Sequence, residues 1–176
     1  MRILGIDPGS RATGYGLVDG EDETLVDAGV IRLDPDDDHP DRLKQIYDRL
    51  TALIGEHDPD TFSIEMPVYG KNPQSMLKLG RAQAAAMMAG LNAGLPIAQY
   101  TPKEIKKSVT GNGNASKDQV RFMIKSILSL DEAPTHDAAD ALATALCHNN
   151  RDAHDEGESY TGWASFVDAN PDRVSE

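Results

Sequence analysis

The sequence predicts an α/β domain with a mixed central sheet flanked by helices. Three strand-like runs come first, and the polar turns between them predict antiparallel pairing. Strands and helices then alternate, which is typical of β-α-β units with parallel strands. A sheet that begins with hairpins and continues with crossovers must contain both kinds of pairing.

The predicted strands are short apolar runs that turn residues interrupt. The first one is a buried strand that ends at Pro8 and Gly9. No internal repeat relates these strands to one another. The five predicted strands are residues 2–6, 13–18, 25–33, 61–65 and 96–100.

The predicted helices follow from apolar residues that recur every three or four positions. Leu43, Ile46 and Leu50 show this spacing in the first helix. Gly94 and Pro96 give the second helix a stop signal. The five predicted helices are residues 41–57, 75–93, 102–109, 117–129 and 135 to about 148.

The chain of 176 residues is long enough for one compact domain and a short extension. We assign residues 1–148 to the domain. Residues 149–176 are polar, acidic and without periodicity, so we expect them to form a flexible tail. The aromatic residues Tyr160, Trp163 and Phe166 of that tail either dock on the domain or on a partner, or are incidental.

Several classes of protein are excluded by composition. No run approaches the roughly 18–20 apolar residues of a membrane span, and the N-terminal residues lack the layout of a signal peptide. The single cysteine, Cys147, has no partner for an internal disulfide or a thiolate metal site. We therefore expect a cytoplasmic protein without a membrane partner.

The charge of the chain is unevenly distributed. The net charge of −12 argues by itself against a nucleic-acid partner. Residues 66–126, however, contain nine basic and two acidic side chains, so this segment carries +7 and the remainder −19. Such segregation indicates either a basic binding face or a set of solvated helix faces. The acidity elsewhere suits a salt-rich cytoplasm, where acidic surfaces keep proteins soluble.

Four acidic residues hold positions from which they can meet. Asp7 and Glu65 each end a predicted strand, and the carboxyl ends of neighbouring parallel strands share one edge of a sheet. Asp137 and Asp140 are three residues apart near the start of the last helix, so they share a helix face. Each acid alone also has a structural explanation, because acids at helix starts act as caps and balance the helix dipole.

Convergence of the four carboxylates would require a cation or large pKa shifts. Two carboxylates about 4 Å apart repel by roughly 4 kcal/mol at an effective dielectric near 20, so four ionise together only beside a cation or with large pKa shifts. Oxygen ligands suit Mg²⁺ or Mn²⁺. A pair of such ions cuts phosphodiesters by activating water and stabilising the leaving oxygen. The acids therefore predict a metal-dependent nuclease.

The five histidines give weaker signals. His136 adjoins Asp137 in the sequence, where it either orients water, joins the metal ligands or has no role. The other four are expected at the surface, namely His39, His57, His148 and His154.

Short motifs surround these acids in chain order. They are Ile3-Leu4-Gly5-Ile6-Asp7-Pro8-Gly9-Ser10, Thr13-Gly14-Tyr15-Gly16, Ile64-Glu65, Gly70-Lys71-Asn72, Leu77-Lys78-Leu79-Gly80-Arg81-Ala82, Lys106, Gly111-Asn112-Gly113, Lys117 with Gln119-Val120, and Asp137-Ala138-Ala139-Asp140-Ala141-Leu142-Ala143. Each motif alone is modest, but the ordered set is specific, and it resembles the RuvC family of bacterial Holliday junction resolvases. The resemblance covers about residues 2–148 and leaves out the tail.

The resemblance implies an RNase H-like fold, a homodimer, and Mg²⁺-dependent paired nicking of four-way DNA junctions in recombination and repair. It implies that Asp7, Glu65, Asp137 and Asp140 bind the metal, as two Mg²⁺ ions per site for which Mn²⁺ can substitute. It also implies partnership with the RuvA–RuvB branch-migration complex.

Basic residues complete the expected site. The resemblance assigns Lys106 and Lys117 to the neighbourhood of the scissile strand, where a cation contacts the phosphate or stabilises its developing charge. A solvated helix charge is the alternative for each. With the four acids, these two lysines are the expected catalytic residues. The expected DNA-binding residues are Tyr69, Lys71, Lys78, Arg81, Lys106, Lys107 and Lys117.

One position departs from the family pattern. Many members carry an aromatic residue three positions after the catalytic glutamate, where it stacks on junction bases, but this chain has Val68 there. Tyr69 follows and either supplies the stacking face, worth roughly 1–3 kcal/mol per base, or packs within its loop.

A dimer also has a physical basis in the second half of the long predicted helix. Residues 82–93 are rich in alanine, which permits close approach of another helix, and contain Met87, Met88 and Leu91. The same helix must also cover the domain's own sheet, so opposite faces can serve the two purposes. Two active sites would suit two strands related by the symmetry of a junction.

Three other functions are compatible with parts of the sequence. A different RNase H-like nuclease, such as one that cuts RNA–DNA hybrids, would share the acids but not the junction preference. A sugar kinase or actin-like ATPase also begins with a strand and an Asp-x-Gly-Ser turn, as at residues 7–10, but is longer and has a second glycine-rich segment. A junction-binding protein without catalysis would not need all four acids.

Overall fold

The computed structural model describes residues 1–67 and 72–155, with the backbone alone for residues 152–155. Its strands are β1 (Arg2–Asp7), β2 (Ala12–Asp19), β3 (Thr24–Arg32), β4 (Thr61–Glu65) and β5 (Ile97–Tyr100). Its helices are α1 (His39–His57), α2 (Pro73–Asn92), α3 (Pro102–Thr110), α4 (Lys117–Ile127) and α5 (His136–Asp155).

The strands form one mixed sheet in the order β3-β2-β1-β4-β5. β1, β2 and β3 pair antiparallel, as hairpins require. β4 pairs parallel with β1, and β5 pairs parallel with β4, because helices connect them. The predicted α/β class and mixed sheet are confirmed.

Helices cover both faces of this sheet. The core on one face contains the buried apolar residues of α1 and α2, and the core on the other contains those of α3, α4 and α5. Side chains alternate along a strand, so Leu4 and Ile6 of β1 pack toward α1 and α2, whereas Ile3 packs toward α5. Asp7 continues the odd-numbered series at the end of β1.

Helix α5 lies unusually close to the sheet. A Cβ atom on Gly5 would stand 2.2 Å from the carbonyl oxygen of Ala141, and one on Gly14 would stand 2.0 Å from that of Asp137. Both neighbours are backbone atoms that a side-chain rotation does not move. The helix backbone therefore rests on the strands, and small residues on α5, such as Ala138, complete the contact.

Helix α5 continues beyond its predicted end. Apart from the C-terminal end of α5, the bounds of the observed elements differ from the predicted bounds by no more than two residues. α5 continues to Asp155, so residues 149–155, which we expected in the tail, are helical. Asn150 Nδ2 donates to Ser108 Oγ at 3.1 Å, and Arg151 Nη2 lies 2.8 Å from Glu104 Oε1, which extends the packing against α3. The aromatic residues of the tail lie outside the described residues.

One of the four histidines expected at the surface is buried. His148 is 8% exposed, its Nδ1 lies 2.7 Å from the Tyr100 hydroxyl, and its Nε2 lies 3.3 Å from Thr61 Oγ1. The expectation failed because these partners come from β4 and β5, far away in the sequence. His57 pairs with Asp27 at 3.3 Å. Across the described residues, no helix combines the length and apolar character that crossing a membrane requires.

Replacement of Gly5 by alanine tests the contact with α5. We expect Gly5→Ala to lower the free energy of unfolding by about 3 kcal/mol, because the new methyl group meets helix backbone. Gly55→Ala is the matched control. A Cβ there meets no atom within 4 Å, so alanine should raise stability by about 0.5–1 kcal/mol through its helix propensity. Urea unfolding measures both, and equal stabilities would contradict the close approach.

Candidate active site

The ends of β1 and β4 bring two carboxylates together. Ile6 pairs with Ile64 in the parallel register, so Asp7 and Glu65 follow at neighbouring positions on the same edge of the sheet. Both belong to the series of side chains that faces α5. The series is visible in β4 as well, where Ser63 Oγ donates to the carbonyl of Thr144 at 3.3 Å.

The first two turns of α5 supply the other two acids. Asp137 rests its backbone against Gly14, and Gly14 is the antiparallel partner of Asp7. Asp140, one turn further, has a side chain that is 15% exposed. A cavity of about 220 Å³ opens here, lined by Asp7, Glu65, Pro102, Ile105, Lys106, Lys117, Val120 and Asp140.

Capping interactions position the two helices that carry the cavity's lysines. Ser116 Oγ accepts a hydrogen bond from the backbone N–H of Gln119 at 3.2 Å, and Gln119 Oε1 accepts one from the N–H of Ser116 at 2.9 Å. This reciprocal capping box fixes the start of α4, where Lys117 is the first residue. An equivalent capping box starts α3, which carries Lys106.

Burial and mutual repulsion alter the titration of the acids. Burial first, and then the charges of Glu65 and Asp140, raise the pKa of Asp7 to about 8, with Lys117 opposing and Asp137 adding to the rise. Burial and the charge of Asp140 raise the pKa of Glu65 to about 7, with Lys117 and Lys106 opposing. Near neutral pH the two buried acids therefore tend to keep their protons unless a cation takes the place of those protons.

A single ion pair spans the cavity. Lys117 Nζ donates to Asp140 Oδ2 at 2.7 Å. This hydrogen bond, followed by the charges of Asp140, Asp7 and Asp137, raises the pKa of the Lys117 ammonium group. Lys117 therefore acts as the internal counterion of the acids, and one of the carboxylate oxygens that a cation would need is already engaged.

The donor set fits a hard divalent cation in its chemistry. All four acids offer carboxylate oxygens, and burial together with mutual repulsion raises the pKa values of Asp7 and Glu65, a rise that a bound cation would reverse. Their spacing is more open than a formed metal site: among the described residues, no three His, Cys, Asp or Glu side chains are close enough to hold one ion together. Binding would therefore draw the carboxylates inward.

The remaining predicted residues lie in different places. Lys107 is exposed near the end of α3, and Lys78 and Arg81 are exposed on α2, outside the acidic cavity. His136 is at the surface, where its Nε2 lies 3.7 Å from Asp118 Oδ1. The residues Val68, Tyr69 and Lys71 lie outside the described residues.

The structure reveals a group of cations that the sequence did not single out. Arg11 and Arg42 line a second cavity together with Lys78. Arg11 lies between two of the sequence motifs but belongs to neither, and Arg42 lies in an ordinary amphipathic helix. Only the fold brings these side chains together.

A five-stranded mixed sheet with acids at two adjacent strand ends and on the last helix defines an RNase H-like α/β domain. A family model described as crossover junction endodeoxyribonuclease RuvC matches residues 3–148. A protein of the same description from Salinibacter ruber is 76% identical over the full length of both chains.

Solved structures agree with this match. The structure of Thermus thermophilus RuvC has a TM-score of 0.79 at 31% identity, covering 88% of this chain and 97% of that one. T. thermophilus RuvC in complex with a Holliday junction substrate has a TM-score of 0.78 at 30% identity, covering 87% and 95%. The chain belongs to the RuvC family, which confirms the resemblance and the RNase H-like fold.

The raised pKa values predict how stability depends on pH when a chelator is present. In the folded state the Asp7 carboxyl keeps its proton up to about pH 8. In the unfolded chain the same carboxyl loses its proton near pH 4. The folded state binds more protons between these values, so stability decreases as the pH rises through this window. Asp7→Asn removes this titration and should be more stable than the wild type at pH 8 by about 2–5 kcal/mol.

Thermal or urea unfolding of both proteins from pH 4 to 9 measures this difference. Asp48→Asn is the control, because Asp48 is exposed on α1 and pairs only with Lys44 among the described residues. A stability difference between wild type and Asp7→Asn that stays constant across the window would show that Asp7 titrates normally.

Proposed function

We propose that this protein is an endonuclease that resolves four-way DNA junctions by metal-dependent, paired and symmetric nicking of two strands. One observation carries the proposal: three acids and two lysines from five different elements line one small cavity at the sheet edge. Membership of the RuvC family supports the choice of junction DNA as substrate. A relative of 30% identity was solved with a Holliday junction substrate, which also supports it.

The expected cofactor is Mg²⁺, with two ions per site and Mn²⁺ as a substitute. Asp7, Glu65, Asp137 and Asp140 would hold the ions through carboxylate oxygens. When bound, such ions activate the attacking water and stabilise the leaving oxygen. The acids supply the negative charge that makes this binding favourable, and burial keeps that charge unscreened.

The lysines have separate roles in this proposal. Lys117 Nζ donates a hydrogen bond to Asp140 Oδ2 at 2.7 Å, so both oxygens of Asp140 become available to a metal ion only when this hydrogen bond breaks. The released ammonium group is then free to contact the scissile phosphate and stabilise its developing charge. Lys106 lines the same cavity, and its charge opposes the rise in the pKa of Glu65, which favours the ionised form of that acid.

Family membership supports a proposal about the biological setting. We propose that the protein acts in the cytoplasm, in recombination and repair, together with the RuvA–RuvB branch-migration complex. The nuclease domain comprises the sheet and the helices that cover its two faces.

A homodimer is supported by the exposed face of α2. Ala82 and Ala86 are buried against the domain's own sheet, whereas Leu77, Met88 and Leu91 are 47–56% exposed. Exposed apolar side chains along one helix face are typical of a protein interface. A second copy on this face would hold two active sites at a fixed separation for two symmetric nicks.

The nuclease activity is tested with a labelled mobile four-way junction, a linear duplex and an RNA–DNA hybrid, each with Mg²⁺ and with chelator. We expect symmetric nicks on the junction, only with Mg²⁺, over a range of salt concentrations. Asp7→Asn should reduce the cleavage rate by at least about 10³-fold and leave junction binding intact, because one fewer negative charge faces the DNA. Asp48→Asn, an exposed match, should cut like the wild type.

Other outcomes distinguish the alternatives. Cleavage of the hybrid rather than the junction would indicate a different RNase H-like nuclease. Junction binding without cleavage at any salt concentration would indicate a binding protein. A protein that neither binds nor cleaves the junction would refute the proposal.

The dimer is tested by sedimentation equilibrium at micromolar concentration. We expect the wild type to be dimeric and the double variant Met88→Asp, Leu91→Asp to be monomeric, because buried charges oppose association. Phe122→Asp is the control, since Phe122 is 70% exposed but lies on α4. A monomeric wild type, or a dimer that survives the α2 substitutions, would rule out this interface.

A further inference from the structure

A second cavity lies on the other face of the sheet from the acidic one. It measures about 460 Å³ and is lined by Ser10, Arg11, Pro35, Arg42, Ser75 and Lys78. The acidic cavity is bordered by α3, α4 and α5, whereas this one is bordered by α1, α2 and the loop that follows β1. Three of its six lining residues are cations, and none is an acid.

The cations of this cavity lack a carboxylate partner among the side chains that the structure describes. In residues 1–67 and 72–151, Arg11, Arg42 and Lys78 take part in no ion pair. Arg42 Nη1 reaches the carbonyl oxygen of Ser10 at a long 3.5 Å, and Arg42 Nε is buried without a hydrogen-bond acceptor. A buried charged donor without an acceptor is costly, and an anion in the cavity would remove that cost.

The nearby acidic loop contacts its own neighbours in the sequence. Residues 34–38 include four aspartates, and the side chains of two of them form local hydrogen bonds. Asp34 Oδ1 accepts a hydrogen bond from the N–H of Asp36 at 2.9 Å, and Asp37 accepts one from Gln45. The aspartates therefore stabilise the turn, and within the described residues none of them forms an ion pair with Arg11, Arg42 or Lys78.

His39 gives independent information about the local charge. Burial, and then the charges of Arg42, Arg81 and Lys78, lower the pKa of the His39 imidazole. Both ring nitrogens are buried and lack a hydrogen-bond partner. The charges of Arg42, Arg81 and Lys78 therefore reach His39, and the same positive potential favours an anion in the cavity.

The cavity is close to the proposed cleavage site. Ser10 follows Asp7 by three residues, so their Cα atoms are at most about 11 Å apart. A DNA strand whose scissile phosphate lies at Asp7 would therefore carry its neighbouring phosphates past this loop. Lys106 and Lys117 would contact the strand from one side of the sheet edge, and the second cavity from the other.

We propose that Arg11, Arg42 and Lys78 form a pocket that binds one phosphodiester of the cleaved strand, next to the scissile phosphate. A guanidinium group presents a planar fork of donors that matches two phosphate oxygens. Arg42 is held by helix α1 and partly buried, so it can fix the register of the strand over the acids. The proposal rests on the proposed nuclease function and adds a positioning contact to it.

The first test measures junction binding and its salt dependence in the full chain carrying Asp7→Asn, so that no cleavage interferes. Arg42→Gln should weaken binding on the order of tenfold, as expected for one lost charge-assisted contact. It should also reduce the slope of log K against log [KCl] by about 1. Arg49→Gln is the matched control, two turns further along the same helix and exposed, and should change neither quantity.

The second test identifies the phosphate. Neutral methylphosphonate linkages are placed one at a time at the phosphates on either side of the scissile one. At one position, neutralisation should weaken junction binding on the order of tenfold for the Asp7→Asn protein and for its Arg49→Gln variant. The same neutralisation should leave the affinity of the Arg42→Gln variant unchanged. Arg11→Gln, at an exposed position, replaces Arg42→Gln if circular dichroism shows that the latter is unfolded.

The outcomes separate this inference from the nuclease proposal. If the wild type cuts junctions but Arg42→Gln and Arg49→Gln bind with equal affinity and salt slope, the pocket is refuted and the nuclease stands. A second outcome also refutes the pocket: Arg42→Gln binds the junction weakly, yet neutralising a phosphate at any tested position still weakens its binding. In that case the Arg42 side chain does not contact a phosphate of the strand. If the wild type neither binds nor cuts junctions, both fail.

Discussion

The contact between α5 and the first hairpin is the constraint on which the site depends. Gly5 and Gly14 leave no side chain under the helix, so its backbone lies directly on β1 and β2. The short distance between the α5 backbone and the strands decides whether Asp137 and Asp140 approach Asp7 or remain a side chain's width away. The later elements then complete the site, since β4 adds Glu65 beside Asp7 and α4 adds Lys117 above Asp140.

That arrangement places function and stability in opposition. Burial makes the carboxylates of Asp7 and Glu65 costly to ionise, and the neighbouring acids add to the cost. The same features create the charge density that a divalent cation requires. The capping boxes of α3 and α4, and the tight apolar contact under α5, supply the rigidity that holds like charges together. Lys117 relieves part of the repulsion until a stronger cation competes for Asp140.

Local patterns predicted the elements well, and long-range contacts explain what they missed. The alternation of strands and helices indicated the mixed sheet, and Asp7 and Glu65 stood out because each ends a strand. The extension of α5 was missed because Arg151 gains its partners from α3, and burial of His148 was missed for a similar reason. The place of Arg42 in a cationic cavity could not be predicted from the sequence, because its neighbours there come from two turns and two helices. The Lys117–Asp140 pair likewise depends on the docking angle of α4.

The glycines beneath α5 have one more consequence, which concerns errors in folding. A shift of β1 by one residue would turn Leu4 or Ile6 toward the helix and send the carboxylate of Asp7 into the apolar layer under α1 and α2. Neither isoleucine nor leucine fits in a space that excludes a methyl group. A misregistered hairpin therefore cannot accept α5 at all. The protein distinguishes its correct sheet from the nearest wrong one by whether the last helix can dock, before any metal or DNA is bound.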